Sequence, residues 1–419
     1  MRIRIHRGCH EVGGCCIELE AEGKRLVLDV GRPLTAGRDE YVPLPDVPGL
    51  AQGDDLTLLG VVISHPHLDH YGLLDQVAAN VPVFAGEAAV RMVEAAQFFT
   101  PGPRLRADRF LEDGVPLVVG PFTITPYLVD HSAFDSYAVV VEAGGKRVLY
   151  TGDLRGHGRK RRLFEEMVSD PPRYIDTLLV EGTHVTDEVP RNPGLASETD
   201  VELQLAESLR TTHGLVAVVS SAQNIDRLVT VYRAAKRAGR TFVGDLYSAT
   251  TAQSTGRATI PQPGFPDYRL YLTDRQRTLV KRSGEFTRTD AVRGHRVFAE
   301  ELQRSPGRFV VFTQASTVDE LRRRNLMQGG RVVWSLWDGY LDDRFTARLQ
   351  AQGVPLVHHH TSGHASVADL DRLIAAVGAR QVVPVHTGAA HLVPTARPQT
   401  DGVWFNACGS SRAPRPPHR

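Results

Sequence analysis

Residues 61–74 read VVISHPHLDHYGLL, a short apolar run that ends in His65, His67, Asp69 and His70 within six positions. Val, Ile and Leu in such a run have the character of a buried strand. Imidazole and carboxylate are the usual ligands of borderline metals such as zinc. On a continuing strand His65 and His67 point to one face. Asp69 and His70 follow where the strand gives way to Gly72 and a helix, and a turn there lets both face back toward a second metal. A chain with this segment has to open a strand end onto a metal-binding pocket.

The rest of the chain supplies the layers for such a pocket. CCIELEAEGKRLVLDVG reads as a hairpin around Glu-Gly-Lys, and PLVVGPFTITPYLVD with SYAVVVEAGGKRVLYTGD repeats the style over 115–150. Residues 87–99 have helical periodicity. Strands interleaved with helices predict stacked sheets covered by helices. From about residue 200 the pattern changes to strand-then-helix units, LVAVVSSA with NIDRLVTVYRAAKRAG and RFVVFTQAST with VDELRRRN. These predict a parallel sheet with right-handed crossovers. VPLVHHHTSGHAS, a helix over 367–377 and RQVVPVHTG form a last strand–helix–strand unit. The expected division is a scaffold over 1–185, an inserted α/β domain over 186–345, the resumed scaffold over 346–411 and a disordered Pro-rich tail over 412–419.

Charge and cysteine content narrow the function. The net charge is +1, so no global field marks a nucleic-acid binder. The middle is nonetheless basic, with 23 Lys+Arg against 17 Asp+Glu over 190–345. The four cysteines, Cys9, Cys15, Cys16 and Cys408, lack zinc-finger spacing and read as small core residues. No apolar run approaches the roughly 20 residues that span a bilayer. MRIRIHRGCHEVGG alternates like a strand rather than a signal peptide, so a cytoplasmic location with no membrane partner is expected.

HxHxDH at 65–70 resembles the signature of the metallo-β-lactamase superfamily, and Asp29 in VLDVG, His131 in LVDHSAFDSYAVVV and Asp153 in VLYTGDLRG follow in that superfamily's order. The resemblance implies an αββα sandwich and two Zn²⁺ per chain. His65, His67 and His131 would hold one ion, Asp69, His70 and His386 the other, and Asp153 would lie between them. Asp29 and Asp69 would belong to the catalytic set. Two metals at bridging distance lower the pKa of water and clamp an in-line attack on phosphorus. Mn²⁺ is an alternative to Zn²⁺ in a site built only from N and O donors.

Glu181 in LLVEGTH, His364 in HHHTSGHAS and His386 in VVPVHTG resemble motifs A, B and C of the β-CASP nucleases, which carry an inserted α/β domain. Within that group the chain is most similar to ribonuclease J, through HSAFDS, SSAQNIDRL, SGHAS and PVH. EGT resembles instead the cleavage-and-polyadenylation type, and Thr387-Gly388 departs from the Gly-Glu usual in ribonuclease J. The resemblance implies a zinc-dependent nuclease of single-stranded RNA, 5′-to-3′ exonucleolytic with endonuclease action open. DNA is the alternative substrate, a small phosphoester a further one, and homo-oligomerisation stays open. His364 would protonate the leaving oxygen, with Glu181 orienting it.

Three strand ends run into small polar residues and then a helix, at 220–224, 313–317 and 361–366. Helix N-termini bind phosphate, but the same residues also serve as ordinary N-caps. By the resemblance, Ser362, Ala365 and Ser366 would hold a terminal 5′-phosphate, with Ser221 and Asn224 as weaker candidates. RGHGRKRR at 155–162 follows Asp153 and reads either as a grip on a nucleic-acid backbone or as a solvated loop.

Overall fold

Three sheets account for every strand among the described residues. The structure, a computed structural model, describes residues 1–37, 39–186, 194, 196–393, 396 and 399–406. The first sheet has seven strands, in the order Trp404–Asn406, Arg2–Arg7, Cys16–Ala21, Lys24–Leu28, Leu58–Val62, Val83–Gly86 and Arg109–Leu111. The second has six: Gln381–Val385, Thr177–Glu181, Lys146–Tyr150, Tyr137–Ala143, Phe122–Leu128 and Leu117–Val119. Alternation along these strands sends Ile3, Ile5, Ile17, Leu19, Leu26 and Leu28 into one core with Ile124, Val139, Val141, Leu179 and Val383. The two sheets therefore pack face to face.

Each outer face of this pair is covered by helix. Ala89 and Val93 of Glu87–Gln97 pack on the first sheet with Val61 and Val83. Phe164 and Met167 of Arg161–Ser169 and Leu370 and Leu373 of Val367–Val377 pack on the second. The result is the expected αββα sandwich. Its two sheets run on past the interposed block, since Gln381–Val385 pairs in parallel with Thr177–Glu181 and Trp404–Asn406 pairs antiparallel with Arg2–Arg7.

The third sheet is wholly parallel, in the order Arg296–Val297, Tyr268–Tyr271, Thr241–Gly244, Phe309–Thr313, Val216–Val219, Arg331–Trp334 and Leu356–His358. Apolar residues cover both of its faces, as a parallel sheet between helices requires. One boundary differs from expectation. Leu356–His358 pairs with Arg331–Trp334, so the chain leaves this sheet after His358 rather than at residue 345. The apolar run VPLV reads the same in either sheet, and only pairing decides between them. Cys9, Cys15 and Cys16 are free and buried, while Cys408 and the tail at 412–419 lie outside the described residues.

Candidate metal centre

The site forms where several strands of the sandwich end. Asp29 follows Lys24–Leu28 in the left-handed region (φ 59°), and His386 follows Gln381–Val385 likewise (φ 54°). Such backbone is costly for non-glycine residues and concentrates at functional sites. The short helix Leu68–Tyr71 is strapped to the strand end by backbone bonds from Cys15 N to Asp69 O, Val30 N to His70 O and Arg32 N to Leu68 O. Gly31 permits this approach, because a Cβ there would sit 1.8 Å from the Asp69 carbonyl oxygen.

Four groups of donors converge among the described residues, two of them made wholly of the expected ligands. His65, His67, His131 and Asp153 form one, and Asp69, His70, Asp153 and His386 the other, with the ligand atoms of each group within 4.8 Å of one another. Asp153 belongs to both. The seven side chains read from the sequence as metal ligands are thus brought together as two overlapping quartets. Nε2 of His65, Nε2 of His70 and both carboxylate oxygens of Asp153 are buried without a hydrogen-bond partner. Orphaned buried polar atoms of this kind are expensive. Four of them facing one another fit a pair of divalent cations.

The outward atoms of the imidazoles are held from behind. His131 Nδ1 donates to Gly363 O at 2.6 Å, which leaves Nε2 to face the cluster. His70 Nδ1 lies 2.8 Å from Asp29 Oδ2, and His65 Nδ1 lies 3.0 Å from Ser64 Oγ, which donates to the same carboxylate. Tyr150 OH and Ser64 N complete the ring around Asp29 at 2.7 Å each. Asp29 therefore orients ligands and stays out of both quartets, which revises its expected place among the catalytic groups.

Burial, helped by the neighbouring imidazoles, holds His65 and His131 well below the usual histidine range, and burial lowers His67 to about 4. These three stay neutral and able to ligate. Burial disfavours charge on His70 and Asp153 too, but here the opposite charges win. Asp153 and Asp29 raise His70 well above its ordinary value, and His386 and His70 hold Asp153 well below its own. Asp69 falls to about 2, with burial outweighed by the bond to His386 at 3.1 Å.

His364 stands beside the quartets, its Nδ1 3.0 Å from Glu181 Oε2 and 3.6 Å from Asp153 Oδ2. Burial lowers its pKa, but the Glu181 and Asp153 charges outweigh that and raise it to about 9. Glu181 is fixed in turn by Leu154 N at 2.8 Å. Thr183 joins His364 to His386, with Oγ1 3.1 Å from one Nδ1 and 2.8 Å from the other. Sequence reasoning passed over Thr183, although it lies two residues after Glu181 in EGTH. It also passed over Ser64 and Tyr150, and Tyr150 reaches Asp29 only because two separate sheets pack together.

The expected phosphate contacts divide. Ser362 lies at the rim, its Oγ 2.9 Å from His184 Nε2 and accepting from His364 N. Ser366 and Asn224 cap helices, accepting from Asp369 N and Arg227 N. Ala365 is fully buried among core residues. Ser221 is exposed and accepts from Gln223 N. Arg161 and Arg162 of the basic run are exposed, but its first cations are neither grip nor free loop. Arg155 is fully buried and pairs with Asp130, Asp226 and Glu198, while Arg159 pairs with Glu202 and Lys160 with Asp226. Asp226, Glu198 and Glu202 sit on helices of the third-sheet domain, so these cations bind the two halves together. Burial opposes a charge on Glu198, but Arg227 and Arg155 outweigh it and lower its pKa to about 2.

Comparison with known proteins agrees with this geometry. Residues 12–206 match the metallo-beta-lactamase superfamily. The fold is that of the metallo-β-lactamase superfamily. The interposed parallel sheet agrees with the β-CASP arrangement, and the relatives are ribonuclease J-like. Ribonuclease J of Sinorhizobium meliloti is 25% identical over 367 residues, covering 83% of this chain and 61% of that protein. Ribonuclease J of Mycobacterium tuberculosis is 26% identical over 406 residues, covering 92% and 68%. The chain thus spans about three fifths to two thirds of the length of these relatives. A crystal structure of a protein of unknown function from Enterococcus faecalis V583 superposes with a TM-score of 0.79 at 19% identity, over 96% of this chain and 99% of that one.

Proposed function

We propose that the chain is a metal-dependent ribonuclease that hydrolyses phosphodiester bonds of single-stranded RNA, a 5′-to-3′ exonuclease for which endonuclease action stays open. The observation that carries this reading is the pair of quartets sharing Asp153, with the His364 imidazole held beside them by Glu181. Two divalent ions, when bound, lower the pKa of water and neutralise charge on a phosphate. The chain's own part is to hold the donors and to move a proton. With Nδ1 of His364 engaged by Glu181, the proton on Nε2 is the one left for the leaving oxygen. Ser362, paired with His184 at the rim, favours a 5′-phosphorylated end. The same reading makes this a cytoplasmic zinc enzyme, with manganese as the alternative metal and DNA as the alternative substrate.

The test is digestion of two end-labelled single-stranded RNAs that differ only in a 5′-monophosphate or 5′-hydroxyl, beside a matched DNA and a chelator control. Mononucleotides released from the monophosphorylated RNA, and lost with chelator, are expected. Internal fragments regardless of the 5′ end would make the enzyme an endonuclease. Cleavage of DNA alone would overturn the RNA reading.

A further inference from the structure

The segment that carries His364 crosses from the third sheet to the sandwich. It leaves Leu356–His358 and enters the helix Val367–Val377, and the residues between belong to no strand or helix. Backbone carbonyls taken out of water without a ladder need other partners. Three consecutive ones find them here. Thr361 O accepts from Arg227 Nη2 at 3.4 Å. Ser362 O accepts from Arg155 Nη1 at 2.7 Å and from His157 Nε2 at 3.1 Å. Gly363 O accepts from His131 Nδ1 at 2.6 Å. The crossing lies tight against the metal centre, since a Cβ on Gly363 would sit 2.5 Å from Ser132 Oγ and 3.2 Å from His131 Cε1.

The two guanidinium groups come from different halves of the molecule. Arg155 follows Asp153 on the scaffold, while Arg227 lies on Ile225–Arg237, whose apolar residues pack on the third sheet. Both are fully buried, as is Glu198 between them. Glu198 Oε1 lies 3.0 Å from Arg227 Nη2 and 3.6 Å from Arg155 Nη1, and its Oε2 accepts from Arg227 Nε at 3.2 Å. Glu198 N also donates to His157 O at 3.1 Å. Arg227 Nη1 donates back to Ser335 O of its own domain at 2.8 Å. A planar guanidinium fixes direction as well as distance. A chain of bonds thus runs from the third-sheet domain through Glu198 and ends on carbonyls two and three residues before His364.

We infer that Arg227, Glu198 and Arg155 are positioning residues, through which the third-sheet domain sets the reach of His364 toward the leaving oxygen. The inference rests on the nuclease reading above. None of the three belongs to either metal quartet, so they act through the backbone of 361–363. A misplacement of about 1 Å made far from the chemistry can cost about 10²-fold in rate. In the reaction, the oxygen of water bonds to phosphorus, the bond from phosphorus to the leaving oxygen breaks, and His364 Nε2 gives that oxygen its proton. With sulfur in the leaving position the thiolate departs without a proton, and the position of His364 no longer matters.

The test compares metal-loaded wild type, Arg227→Lys and Glu198→Gln on two single-stranded RNAs of one sequence, one with sulfur replacing the leaving oxygen at a single linkage. Circular dichroism and metal analysis accompany the kinetics. Both variants are expected to lose about 10²-fold in kcat on the ordinary RNA, with KM and bound metal unchanged. Both should cleave the sulfur linkage at close to the wild-type rate, and His364→Ala should show the same rescue. His157→Ala removes one of the two bonds to Ser362 O and leaves the buried charges paired, so it should fold and show a smaller loss of the same kind. Equal slowing on both RNAs, loss of metal, or wild-type turnover in these variants would overturn the positioning role and leave the nuclease reading standing. A wild-type protein that holds two metals yet cleaves neither RNA would overturn that reading first, and the positioning role with it.

Discussion

Asp29→Asn is the substitution that probes most sharply how the centre is built. Asp29 is fully buried and accepts four hydrogen bonds, from Ser64 N, Ser64 Oγ, Tyr150 OH and His70 Nδ1. Asparagine tolerates the left-handed backbone there, so the fold has no steric reason to change. Its amide has one oxygen for four donors. The Ser64 backbone N–H cannot turn away and claims that oxygen, which leaves the NH₂ facing Ser64 Oγ and His70 Nδ1. His70 must then accept at Nδ1 and carry its proton on Nε2, the atom that would bind a metal. Ser64 Oγ, accepting from the amide, turns its own proton toward His65 Nδ1 and forces the same tautomer there. Loss of such outer partners typically costs 10- to 100-fold in metal affinity, about 1.4–2.7 kcal/mol. Competition with a chromogenic chelator, on protein whose far-UV circular dichroism matches wild type, should show this weakening at both sites. Zinc affinities within about twofold of wild type would refute the tautomer argument.

Other substitutions test the remaining parts. His364→Ala should keep both metals and lose about 10²- to 10⁴-fold in turnover, read by metal analysis beside single-turnover kinetics. His364 is raised to about 9, so its proton is present at neutral pH and is lost as pH rises through that value. Activity should fall on that alkaline limb, and Glu181→Gln should move the limb to lower pH. His70 is raised by Asp153 and Asp29, so metal uptake near neutrality should release protons, measured by calorimetry in buffers of different ionisation enthalpy. Arg155→Leu strands Asp130, Asp226 and Glu198 as buried acids and should cost about 3–5 kcal/mol. Limited proteolysis should then cut between the scaffold and the third-sheet domain.

The sandwich and the ligand set were legible because their signals are local. HxHxDH is six residues of concentrated chemistry, and alternation marks strands wherever one face is buried. What escaped depended on contacts between distant segments. Arg155 and Lys160 look like an exposed basic run until Asp226, Glu198 and Asp130 arrive from other elements. Ser366 and Asn224 spell a phosphate loop and an N-cap equally well, and only the bonds to Asp369 N and Arg227 N show the caps. The strand at 356–358 joins the third sheet because Arg331–Trp334 offers it an edge, which no local pattern records.

The central claim is that Asp153 joins two ion sites into one catalytic centre. Metal-stripped protein titrated with zinc, with RNA cleavage followed against ions bound per chain, tests it most directly. Activity should stay near background through the first equivalent and rise with the second, and Asp153→Asn should lose that second rise. Full activity at one ion per chain, or cleavage by the stripped protein, would contradict the account.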